Sequence, residues 1–117
     1  MTFSMAGAQA QEPAAPVRSE IEGLLTLLGT SQCQFYRNGS WHAGREAESH
    51  LRMKYEYLAG RGTLNSAEDF IDNAATKSSL SGEPYAVQCA GGAPQPSASW
   101  LRARLQERRA EHPATKS

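Results

Sequence analysis

The chemistry this chain has to offer is carried by three histidines, a scatter of serines and a balanced set of charges. His50 with Ser79 or Ser81 has the residue types of a base and a nucleophile, but no spacing in the sequence brings them within reach. A single histidine on a helix is more often a hydrogen-bonding group than a catalyst, so a Ser/His hydrolase is the lesser alternative. His42, His50 and His112 lack the companions that a metal site needs, and no cofactor is expected. Glu46 and Glu48 fall near the start of a helix, where acids serve its dipole rather than act as a glycosidase pair. Arg37, His50, Lys54 and Lys77, beside Trp41 and Tyr57, make a stronger group. Together they suit an anionic glycan, a peptide carboxylate or an acidic protein patch. The plainer alternative has Arg37 and Lys54 pairing with Glu46, Glu56 or Asp72 on a solvated face.

The body that must hold these groups is small. At 117 residues the chain supports one core, and 39% hydrophobic against 21% charged residues describes a packed domain rather than a disordered one. Twelve Lys and Arg balance twelve Asp and Glu, which removes the clustered positive charge of a nucleic-acid binder. No apolar run approaches the ~18 residues of a membrane span. Residues 1–13 contain Ala8-Gln9-Ala10, a signal-peptidase-like site, and read as a residual export signal or a flexible arm. Residues 14–111 form the domain, and 112–117 a disordered tail.

Apolar residues at Val17, Ile21, Leu24, Leu25 and Leu28 predict a first helix that tolerates Pro16 in its opening turn and ends on a left-handed Gly29. Asn38-Gly39 between aromatic runs predicts a hairpin pairing Arg37 with Ser40, Tyr36 with Trp41 and Phe35 with His42. A second helix runs from Arg45 to Leu58 and stops at Gly60-Arg61-Gly62. A third begins with Asn65 or Ser66 as its cap and turns Phe70, Ile71 and Ala74 inward. Tyr85–Cys89 alternates as a third strand, residues 91–96 read as a loop, and a last helix capped by Ser97 buries Trp100, Leu101 and Leu105. Its arginines, 102, 104, 108 and 109, are expected to face solvent. Cys33 and Cys89 lie in separate strands. An even count in a small chain with an export-like start favours one disulfide over two buried thiols.

The fold expected is α+β, in the order α-β-β-α-α-β-α, with a three-stranded antiparallel sheet packed on about four helices. The expected core is Ile21, Leu24, Leu25, Leu28, Phe35, Leu51, Tyr55, Leu58, Phe70, Ile71, Val87, Trp100, Leu101 and Leu105.

Five pieces occur in order: Cys33-x-Phe35-x-Arg37-Asn38-Gly39, Glu46-Ala47-x-x-His50-Leu51-x-x-Lys54-Tyr55, Ala67-Glu68-Asp69-Phe70-Ile71, Ser79-x-Ser81-Gly82-x-Pro84-Tyr85-x-Val87-x-Cys89 and Ser97-x-x-Trp100-Leu101. Over about residues 17–109 this resembles the YfeK-like family of small exported bacterial proteins. The resemblance implies a periplasmic location and no established chemistry. Ser81-Gly82-Glu83-Pro84-Tyr85 is also similar to the Ser-Gly-x-x-Tyr signature of bacterial lysozyme inhibitors, whose loop enters the lysozyme cleft.

The expectation is therefore a non-catalytic periplasmic binding or protein-interaction module. Its site is Arg37, His50, Lys54, Ser79, Ser81 and Tyr85, and its partner is an envelope protein, peptide or glycan. A lysozyme-inhibitor-like protein is the other alternative.

Overall fold

A computed structural model of the chain describes residues 13–111, so the expectations for 1–12 and 112–117 lie outside the described residues. Four helices, α1 (Ala15–Thr30), α2 (Gly44–Gly60), α3 (Ala67–Ala74) and α4 (Ser97–Glu111), pack on one face of a four-stranded antiparallel sheet. Its strands are β1 (Gln34–Arg37), β2 (Ser40–Ala43), β3 (Ala86–Gln88) and β4 (Gln95–Pro96). The order across the sheet is β2-β1-β3-β4.

The hairpin register is the expected one, with Arg37 opposite Ser40, Tyr36 opposite Trp41 and Phe35 opposite His42. Asn38 at φ 49° and Gly39 at φ 90° supply the two positive angles that a two-residue turn requires. β3 pairs with β1 through Gln34 and Gln88, which places Cys33 opposite Cys89 one step further along. The two cysteines form the expected disulfide, with Cα atoms 4.1 Å apart and a sequence separation of 56.

The sheet has one strand more than expected. Residues 91–96 look like a loop because Pro94 and Pro96 cannot serve a central ladder. Gln95 and Pro96 nevertheless pair with Val87 and Ala86 on the outermost edge, where a missing N–H is tolerated.

The helices cover the face that carries Phe35 and Val87, and Phe35 meets Trp100 of α4 edge-on at 5.6 Å. Every expected core residue is buried except Leu58, which is half-buried against the cluster; Leu64, Tyr85 and alanines 47, 67, 74 and 75 complete it. α1 packs chiefly on α2, closely enough that a Cβ on Gly44 would collide with the Leu28 carbonyl oxygen.

Two local expectations change. Gly29 stays helical and α1 runs on to Thr30, where Ser31 Oγ donates to the Leu28 carbonyl at 2.9 Å and closes the helix. Ser97 is the first residue of α4, buried, with its backbone N–H donating to the Tyr85 carbonyl. Ser66 is the cap of α3, accepting from the Asp69 N–H, while the Asp69 carboxylate accepts from the Asn65 N–H.

The basic last helix is not simply solvent-facing. Arg109 grips Glu20 of α1 and Glu68 of α3 with distances of 2.7 to 3.1 Å. Arg102 pairs with Asp72 of α3, and Arg104 lies over the Trp100 ring. Arg108 packs against Gly23, with its Nε buried and without a hydrogen-bond partner among the described residues. Arginine spacing alone does not reveal this, because the carboxylates it meets lie on other helices.

Candidate functional site

α2 presents His50 and Lys54 one turn apart, hence on one face. The end of β1 supplies Arg37, and the residue before β3 supplies Tyr85. These four of the six expected site residues come together. Tyr85 is buried, and its hydroxyl lies 3.0 Å from His50 Nε2 and 3.2 Å from Lys54 Nζ, with that ammonium 5.0 Å from the ring centre. Lys54 also donates to the Lys77 carbonyl at 3.3 Å.

Lysine can only donate, so the Tyr85 oxygen accepts from Lys54, while the direction of its hydrogen bond with His50 Nε2 is set by the imidazole tautomer. Burial, then the charges of Arg37, Lys54 and His42, push the His50 pKa below its usual 6.5. Burial also lowers Lys54 and raises Tyr85, the latter opposed by Arg37.

The alternative pairing of Arg37 and Lys54 with acids does not occur. Asp72 is taken by Arg102 and Glu46 faces His42 at 3.4 Å; Arg37 has no ion pair among the described residues. A cavity of about 20 Å³ opens beside the cluster, with Arg37, His42, His50, Tyr85 and Ser97 in its wall. It has room for one water or one oxygen of a ligand. His42 was not among the expected site residues, although its position opposite Phe35 in the hairpin, on the same face as Arg37, is a signal that could have found it.

Ser79 and Ser81 sit elsewhere. Ser79 is exposed on a shallow groove with Met53, Lys54 and Tyr57, on the far side of the lysine. Ser81 is committed to loop structure: its hydroxyl donates to Asn38 Oδ1 at 2.8 Å and accepts from the Glu83 N–H. Tyr36 in turn donates to the Glu83 carboxylate at 2.9 Å, so the loop is tied to the hairpin. Buried Ser78 accepts from the N–H groups of Leu80 and Ser81 and sets the loop's shape. With Tyr85 turned inward, the Ser-Gly-x-x-Tyr segment does not offer its tyrosine to a partner's cleft.

Among the described residues no group of His, Cys, Asp and Glu could hold a metal ion, and no helix is long and apolar enough to cross a membrane.

Over 68 residues the chain is 40% identical to the uncharacterized protein YfeK of Salmonella typhimurium (strain LT2), a match that covers 57% of this chain and 55% of that relative. The chain thus spans about half the length of the curated relative it matches. No solved structure matches it. A family of unknown function, DUF5329, matches residues 15–109, which takes in the first three helices, all but the last two residues of α4, the sheet, the disulfide and the His50–Tyr85–Lys54 cluster; the chain belongs to that family.

Proposed function

We propose that this chain is a non-catalytic binding module of the bacterial envelope, which holds an anionic group of a protein, peptide or glycan at the cavity beside Tyr85. One observation carries the reading: Arg37 and His50 line a single small cavity whose wall holds no carboxylate, and Arg37 has no ion pair among the described residues. A carboxylate oxygen entering there replaces solvent with charge-assisted hydrogen bonds. Binding rather than proton transfer is favoured by the engagement of His50 Nε2 with Tyr85 and of Ser81 with Asn38. Location outside the reducing cytoplasm is supported by the Cys33–Cys89 bridge.

The test follows the His50 ring by NMR while sodium acetate is added at constant ionic strength, with chloride as the control. Capture of the anion raises the His50 titration midpoint and shifts the Arg37 side-chain signals, and Arg37→Ala abolishes both changes. Identical responses to acetate and chloride overturn the proposal.

A further inference from the structure

Met53 and Tyr57 stand one turn apart on one face of α2, and each is 64% exposed. With Leu58 they line a groove of about 310 Å³ that also has Asn73 and Ser79 in its wall. Lys54 lines the same groove, and its ammonium donates at 3.2 Å to the hydroxyl of Tyr85, a residue of the anion cavity, so the groove begins where the cavity wall ends. No acidic residue lines either one. Arg61 lies over the Tyr57 ring at 5.4 Å, and the Lys77 carbonyl accepts from Lys54. Neither Arg61 nor Lys77 has an ion pair among the described residues.

We propose that cavity and groove together hold the C-terminal end of an extended peptide, with the terminal carboxylate at Arg37 and His50 and apolar side chains of the second-last and fourth-last residues on Met53 and Tyr57. This ligand class rests on the cavity being an anion site. Spacing sets the pattern. Measured from His50, Met53 is three residues and Tyr57 seven residues along α2, about 4.5 and 10.5 Å at the helical rise. An extended peptide advances about 3.3 Å per residue, so its second-last residue reaches Met53 and its fourth-last reaches Tyr57. Alternation along the peptide turns these two side chains to the same side.

The lining selects a peptide over other anions. A fatty acid has a carboxylate and an apolar tail but offers nothing to Asn73 and Ser79, whose amide and hydroxyl can donate to and accept from a peptide backbone. An acidic glycan supplies hydroxyls but no apolar side chain for Met53 and Tyr57. Lys54 uses two of its three N–H donors, on the Tyr85 hydroxyl and the Lys77 carbonyl, and keeps one for a peptide carbonyl. A captured terminal carboxylate adds a charge-assisted anchor to an otherwise shallow apolar contact. The unpaired charges of Arg61 and Lys77 disfavour a cationic ligand and favour one made negative by its free C-terminus.

The test follows the His50 ring of the full chain by NMR during titration with acetyl-Leu-Gly-Leu-Gly, acetyl-Ser-Gly-Ser-Gly and sodium acetate. All three are expected to shift the His50 signals, with the leucine peptide binding roughly tenfold tighter than the serine peptide, because its two leucines leave water for the groove. Moving the leucines one place, to acetyl-Gly-Leu-Gly-Leu, should weaken binding, and amidating the C-terminus should remove the effect on His50. Met53→Gln and Tyr57→Gln alter exposed positions of a helix that glutamine suits. They should erase the leucine preference and leave the acetate response intact. The proposal alone is overturned if acetate shifts His50 but the leucine and serine peptides bind alike, if both variants keep the preference, or if octanoate binds as tightly as the leucine peptide. If acetate and chloride act alike, the anion site itself fails, and this ligand with it.

Discussion

The Tyr85 hydroxyl stands 3.0 Å from His50 Nε2 and 3.2 Å from Lys54 Nζ, so a single oxygen links a neutral imidazole to an ammonium. Tyr85→Phe leaves the ring in place, removes the partner of His50 Nε2 and leaves Lys54 only the Lys77 carbonyl. The expected cost is about 1–2 kcal/mol in denaturant unfolding, with the His50 NMR signals losing their hydrogen-bond shift.

Stability should also depend on pH through His50. Its pKa is lower in the folded chain than the 6.5 of the free side chain, because burial and nearby cations disfavour its charge. Above pH 6.5 the ring is neutral folded or unfolded and contributes nothing to the dependence. Below it the unfolded chain takes the proton first, so stability falls as the pH drops through the window under 6.5. The difference in unfolding free energy between the parent and His50→Gln should narrow or reverse across that window.

Arg109 offers a second linkage with the opposite chemistry. Its hydrogen bonds hold the Glu68 carboxyl below its ordinary 4.5, so this contribution is fully present above pH 4.5 and is lost as the pH falls through the lowered value. Arg109→Gln should cost roughly 1–2 kcal/mol at neutral pH, since the pairs are partly exposed and screened. Below pH 4.5 the parent and variant unfolding curves should converge.

The disulfide closes a loop of 56 positions, for which the chain-entropy model gives about 4 kcal/mol. Replacing both cysteines with serine should lower the denaturant midpoint accordingly, and added reductant should reproduce that loss in the parent and leave the variant unchanged.

Two glycines of α2 make a paired test. At Gly44 a methyl group meets the Leu28 carbonyl, which the helix backbone cannot withdraw, so Gly44→Ala should destabilise by about 1–3 kcal/mol. Nothing lies within 4 Å of a Cβ on Gly60, and Gly60→Ala should be neutral or stabilising by up to ~1 kcal/mol. Thermal unfolding of the two variants measures the contrast.

Much of the architecture is local and therefore legible. Asn38-Gly39 specifies its turn, the apolar spacing in α1, α2 and α4 specifies buried stripes, and two strands each flanked by a cysteine point to the bridge. β4 is hidden because only its neighbour makes Gln95-Pro96 a strand. The Arg109 clamp is hidden because Glu20 lies 89 positions away. In the site, His50 and Lys54 share a helix face by spacing alone, and Arg37 and Tyr85 join them through the sheet. Ser81 misleads for a specific reason: hydroxyls that shape loops and hydroxyls that bind ligands look alike until Asn38 is seen to accept from this one.

The two ends of the sheet differ in what they permit. β4 offers two residues, one of them a proline with no N–H, while β2 presents four. Strand-by-strand growth of copies therefore has one open docking side and one blunt side. A β4 edge of two residues, one of them without an N–H, gives a second copy little to pair with and disfavours stacking of copies beyond a pair.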